Sequence, residues 1–123
     1  MVDAAAPAPQ DALLPILRET ILAEVRAGED LTLRQIAVVL TVYLTDEPQT
    51  VRGLAKHLGV SKPAITHGLD RLGELDLVRR KRDPMDLRSV IAQRTPAGAA
   101  MMERLKARMA AAAAAEADLR KAS

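Results

Sequence analysis

Apolar residues recur at helical spacing in several separate stretches of this chain. From Asp11 to about Ala27 they fall at Leu14, Leu17, Ile21 and Val25, with Pro15 held to the first turn, where a missing amide is best tolerated. Gly28 ends that pattern. Thr32 with Gln35 three residues on then forms a capping box, and Leu31 can staple against Ile36. The helix it opens, Leu33 to Leu44, is apolar nearly all round, which predicts a buried central helix and the hub of the core. After the break at Asp46, Glu47 and Pro48, Thr50 caps a short helix with Val51, Leu54, Ala55 and Leu58 inward. Gly59 is placed for the left-handed turn that ends it, and Ser61 caps a further helix whose inward positions are Ile65, Leu69 and Leu72. Two short helices joined through glycine read as a helix-turn-helix. The pattern then changes: Leu77 to Arg82 and Ser89 to Arg94 read as two short strands around a polar turn, a hairpin over 77–94. Thr95 and Pro96 open a last, alanine-rich helix to about Lys121, roughly 39 Å long at about 1.5 Å per residue and too long to pack wholly on one small domain.

These elements predict a mainly α fold with a small β wing, a winged helix-turn-helix flanked by N- and C-terminal dimerisation helices. The expected organisation is a disordered Ala/Pro tail over 1–10 and one domain over 11–123. Within it a DNA-binding lobe covers about 32–95, and dimerisation helices cover about 11–28 and 96–121. The apolar side chains expected to pair subunits are Leu14, Leu17, Ile21, Met101, Met102, Leu105 and Met109. The run Ala110 to Ala115 is either plain helix propensity or a surface for close helix approach.

Composition narrows the chemistry. Without cysteine there is no disulfide, thiol nucleophile or thiol redox sensor. With two histidines a metal site is not expected, and no cofactor is implied. No stretch approaches a membrane span or a secretory signal, so a soluble cytoplasmic protein is expected. Catalysis needs a constellation, and there is neither a nucleophile with its base nor a glycine-rich phosphate loop, so an enzyme is not expected. The net charge of +2 argues little, but its distribution argues more. Residues 50–95 hold ten basic and five acidic side chains, a local charge of +5 that leaves −3 for the rest.

On the helix from 61 to 75, the side opposite Ile65, Leu69 and Leu72 carries Pro63, Thr66, His67, Asp70 and Arg71, with Lys62 nearer the rim. Those side chains are free to meet a partner. Arg79, Arg80 and Lys81 on the first wing strand are candidates for phosphate contact, though such a run can also be a solvated face. Lys62 at a helix start has the same two readings. His57 reads as a surface residue, and Tyr43 as a core or boundary tyrosine or the wall of a ligand pocket.

The order of elements, the wing sequence Leu77-Val78-Arg79-Arg80-Lys81-Arg82-Asp83-Pro84-Met85-Asp86-Leu87-Arg88-Ser89, and Thr95-Pro96-Ala97-Gly98 opening the last helix resemble the MarR family of bacterial dimeric transcription regulators. The resemblance covers about Leu13 to Arg108. It implies that Asp86 fixes the wing by pairing with a nearby arginine, that Arg88 enters the minor groove, and that Thr66 contacts a base. Three positions depart from the pattern: His67 stands where arginine is common, Asp76 where glycine is usual, and Arg94 where leucine is usual. Asp tolerates the left-handed conformation better than most residues, so the turn at Asp76 is expected to survive.

The function expected is a sequence-specific, homodimeric, cytoplasmic repressor of a bacterial cell. It would bind double-stranded DNA at a pseudo-palindrome, with helix 61–75 in the major groove and wing 77–94 at the minor groove. The alternative is a winged-helix module that binds another protein and no DNA. A small-molecule effector is left open and unidentified: with Tyr43 the sole aromatic residue and no thiol, the sequence gives no support for a phenolic or peroxide signal.

Overall fold

The structure is a computed structural model that describes residues 8–28 and 30–122. Of the tail expected over 1–10, residues 1–7 lie outside the described residues, and Gln10 already belongs to a helix. The chain divides into two units, residues 31–102 and a second formed by the residues up to 30 together with those from 103 onward.

The larger unit holds α2 (Leu33–Leu44), β1 (Gln49–Thr50), α3 (Val51–Leu58), α4 (Lys62–Glu74), β2 (Val78–Asp83), β3 (Asp86–Arg94) and the start of α5 (Pro96–Ala122). Each boundary follows from a local backbone need. Thr32 accepts the Gln35 amide while the Gln35 side chain accepts the Thr32 amide, so both members of the expected capping box are made. Thr50 and Ser61 accept the amides of Gly53 and Ala64. Gly59 closes α3 at φ 70°, and Asp76 takes φ 56° in the turn after α4, the conformation its short polar side chain tolerates.

The core is aliphatic. Val38, Val39 and Val42 of α2, Leu54 of α3, Ile65, Leu69 and Leu72 of α4, and Leu77 and Val78 at the wing base are buried. α2 is less enclosed than its composition implies, because Leu33 and Leu44 at its ends are 83% and 73% exposed. The sheet has the order β1-β3-β2, with β3 antiparallel to both neighbours. The two-residue β1 was not foreseen: it follows Pro48 and is too short to alternate. β3 begins at Asp86, three residues earlier than the pattern suggests, because a two-residue turn at Pro84 and Met85 lets pairing run almost to the tip.

The smaller unit pairs α1 (Gln10–Arg26) with the part of α5 from Glu103 onward, running in opposite directions: Arg108 donates to Glu24 and Arg120 to Asp11. The Arg120 guanidinium, hydrogen-bonded to Asp11, holds that carboxyl below its ordinary value. The buried face of α1 is Ala12, Ile16, Thr20 and Glu24. Leu14, Leu17 and Ile21, expected at a subunit interface, are 76%, 49% and 41% exposed. Met101 and Met102 carried the same expectation, but they are buried inside the chain at 2% and 9% exposure and present no surface to a partner. Leu105 is half-buried, and Met109 is exposed.

Candidate nucleic-acid interface

Ile65, Leu69 and Leu72 are at most 1% exposed, which fixes the rotation of α4 about its axis. Lys62, Pro63, Thr66, His67, Asp70 and Arg71 are therefore exposed, as the helical spacing predicts. β2 and β3 rise beside this face. Between them lies a cleft of about 410 Å³, walled by Lys62 and Thr66 from α4 and by Arg80, Asp86 and Arg88 from the wing. Arg52 from the first turn of α3 completes it. Four cations face one carboxylate there, an arrangement suited to a polyanion. A shallow hollow alongside is formed by Lys62, Pro63, Thr66, His67 and Asp70.

Of the residues singled out in the sequence, Lys62, Thr66, Arg80 and Arg88 thus converge on one cleft, and Pro63 and His67 adjoin it. Arg71, Arg79 and Lys81 are exposed but line neither hollow. Arg71 pairs with Glu74 at 3.2 Å and Arg79 with Asp76 at 3.1 Å, whereas Lys81 makes no ion pair among the described residues. Arg52 was missed as a site residue. Its charge was visible, but nothing in the α3 pattern says which of its exposed positions faces the wing.

At the wing tip Asp86 does pair with an arginine, and that arginine is Arg88. The Asp86 carboxylate accepts from the Arg88 amide at 3.1 Å and from its Nε at 3.4 Å. The Arg88 side chain is 93% exposed, so this contact orients it without enclosing it. Asp83 does similar local work, accepting the Met85 amide at 2.9 Å in the turn.

The base of the wing is fixed by two residues of less obvious purpose. Arg94 lies on the same face of β3 as buried Ala92, a register that the usual leucine would satisfy by burial. Its guanidinium instead donates to the carbonyls of Val42 at 2.9 Å and Thr45 at 2.7 Å, satisfying acceptors at the C-terminus of α2, and lies 5.7 Å from the Tyr43 ring centre. Tyr43 is a connector: its hydroxyl donates to the Leu77 carbonyl at 2.7 Å and accepts the Thr95 amide at 2.9 Å. No three metal-ligating side chains converge among the described residues, and no described helix is long and apolar enough to cross a membrane.

Comparison with known proteins agrees with this geometry. Residues 31–90 match the model of the MarR family. The fold is similar to RV1404 from Mycobacterium tuberculosis, at 22% identity over 89% of this chain and 76% of that one, with a TM-score of 0.73. YusO from Bacillus subtilis is similar too, at 23% identity, the same coverage of 89% and 76%, and a TM-score of 0.72. A MarR-family transcriptional regulator from Rhodococcus sp. RHA1 is 30% identical over 79% of this chain and 66% of that one, with a TM-score of 0.62. No curated protein matches the chain significantly. The family match spans α2, the helix-turn-helix and the wing through Val90, and through that region the chain belongs to the MarR family of winged helix-turn-helix transcriptional regulators.

Proposed function

We propose that this protein is a homodimeric, sequence-specific repressor that binds a pseudo-palindromic operator in duplex DNA. The observation that carries the proposal is the cleft in which Arg52, Lys62, Arg80 and Arg88 gather beside the exposed face of α4. In this reading α4 enters the major groove with Pro63, Thr66, His67 and Arg71 toward base edges. Arg88, steadied by Asp86, enters the minor groove, and Lys62, Lys81, Arg79 and Arg52 meet phosphates. Two subunits joined through the exposed stripe of α1 and through α5 would set their recognition helices about one DNA turn, roughly 34 to 36 Å, apart. Repression follows from occupancy, because a dimer seated on a promoter excludes polymerase. The family's transcriptional role favours a cytoplasmic regulator whose text is read by α4 and the wing.

A fluorescence-anisotropy titration with random 30-base-pair duplex at low salt tests the electrostatic part, and selection of bound fragments from genomic DNA tests the rest. Binding that weakens steeply with salt, together with enrichment of an inverted repeat, is the expected result. No binding to any duplex at low salt would defeat the proposal and favour a winged-helix module that docks on protein.

A further inference from the structure

Arg80 is the most constrained cation of the cleft. Its Nη2 donates to Asp70 Oδ1 at 2.5 Å, from β2 to the outer face of α4 and across ten residues of sequence. The other described ion pairs of residues 31–102 are local. Arg71 and Glu74 lie one turn apart on α4, Arg79 reaches the turn just before its own strand, and Arg88 pairs two residues back on β3. Of the described ion pairs in this unit, Asp70–Arg80 alone joins two elements.

The surroundings decide which anion Arg80 prefers. Lys62, Arg52 and Arg88 wall the same cleft, and their like charge drives the Arg80 guanidinium toward Asp70 on α4. The Arg80 side chain is 40% exposed, against 61% for Arg79 and 93% for Arg88, so its pair is the least screened of the three on the wing. A short charge-assisted bond in that position is harder to exchange for a phosphate than its neighbours' pairs are.

We infer that Arg80 is a positioning residue and not a phosphate contact. Asp70 holds it as a strut that sets the wing against the recognition helix. The inference rests on the cleft being the DNA interface. Two effects follow from the one bond. The strut fixes where Arg88 stands relative to Thr66 and His67, which matters to a chosen sequence. Asp70 also cancels a cation that would otherwise grip any duplex, which matters to the ratio of specific to non-specific binding.

Salt dependence separates a strut from a phosphate contact, because each phosphate neutralised adds about 0.9 to the slope of log K against log salt. The probes are a random 30-base-pair duplex and a duplex selected by the parent protein from a random pool. In Arg80→Met the selected duplex is expected to bind several-fold more weakly while the slope on random duplex stays at the parent's value. In Asp70→Asn, Arg80 is released, so binding to random duplex tightens and the slope steepens by about one unit. That gain disappears in the double variant, a result that a folding defect in one variant does not imitate. A slope shallower by about one unit in Arg80→Met alone puts Arg80 on a phosphate and overturns the inference, as does an Asp70→Asn slope equal to the parent's. Failure of the parent to bind either duplex would instead remove the DNA reading on which the inference stands.

Discussion

One hydroxyl and one missing methyl group set how the wing base meets the last helix. Tyr43 Oη bridges the Leu77 carbonyl and the Thr95 amide, and Thr95 Oγ1 in turn donates to the Asp76 carbonyl at 2.5 Å and accepts the Gly98 amide at 3.0 Å. This junction leaves no room at position 98: a Cβ there would lie 1.7 Å from Tyr43 Oη and 2.4 Å from the Leu77 carbonyl oxygen. Gly98→Ala is accordingly expected to cost about 3 kcal/mol, the upper range for overpacking, in urea unfolding. Tyr43→Phe should cost about 1 to 3 kcal/mol by stranding two backbone groups. Stability equal to the parent's in both variants would show that the junction relaxes freely. Arg88 is a residue of the opposite kind, almost fully exposed, whose loss the fold should not register. Arg88→Ala is expected to leave the unfolding midpoint in place and to weaken the selected duplex by about 1 to 3 kcal/mol if the guanidinium meets a base edge. Parent-like affinity at fixed salt would take Arg88 out of the groove.

At the scale of elements, β2 carries cations in three different circumstances, and they should respond differently to salt. Arg79 is paired with Asp76, Arg80 is braced by Asp70, and Lys81 makes no ion pair among the described residues. Lys81→Ala is therefore expected to lower the salt slope by about one unit on random and selected duplex alike. An unchanged slope would remove Lys81 from the backbone contacts. Which cations sit on this strand was legible in the sequence; which of them are already engaged was not, because Asp70 meets Arg80 only after α4 and β2 have packed. The caps were legible for the opposite reason. Thr32, Thr50, Ser61 and Thr95 each satisfy amides within three residues, so local sequence contains the whole interaction. Arg94 marks the limit of such reading. It breaks the apolar pattern expected of a strand position beside Ala92, and the carbonyls that explain it belong to Val42 and Thr45, about fifty residues earlier.

For the whole molecule, the apolar stripe of α1 raises a question that periodicity alone leaves open, namely whose surface it is meant to meet. The stripe reads clearly as Leu14, Leu17, Ile21 and Val25, yet the face buried within the chain is Ala12, Ile16, Thr20 and Glu24, which contains two polar residues and so gives little apolar signal. Arg108 donates to Oε1 of Glu24 there, while the buried Oε2 has no hydrogen-bond partner among the described residues. The stripe is left at 76%, 49%, 41% and 50% exposure. Covering such side chains is worth about 1.5 to 3 kcal/mol each at full burial, so four of them, repeated by symmetry on a second copy, amount to a substantial drive to associate. Leu14→Glu together with Leu17→Glu places two charges in that seam without touching the buried face of α1 or the winged helix. Sedimentation velocity is expected to show a dimer for the parent and a monomer for the variant, with the far-ultraviolet circular dichroism of the two alike. Because one subunit presents one recognition helix, the monomer should also bind the selected inverted repeat with an affinity close to that for a single half-site. A variant that still sediments as a dimer would move the subunit contact off α1 and leave the distal part of α5, with Met109 and Leu119 exposed, as the surface that pairs the chains.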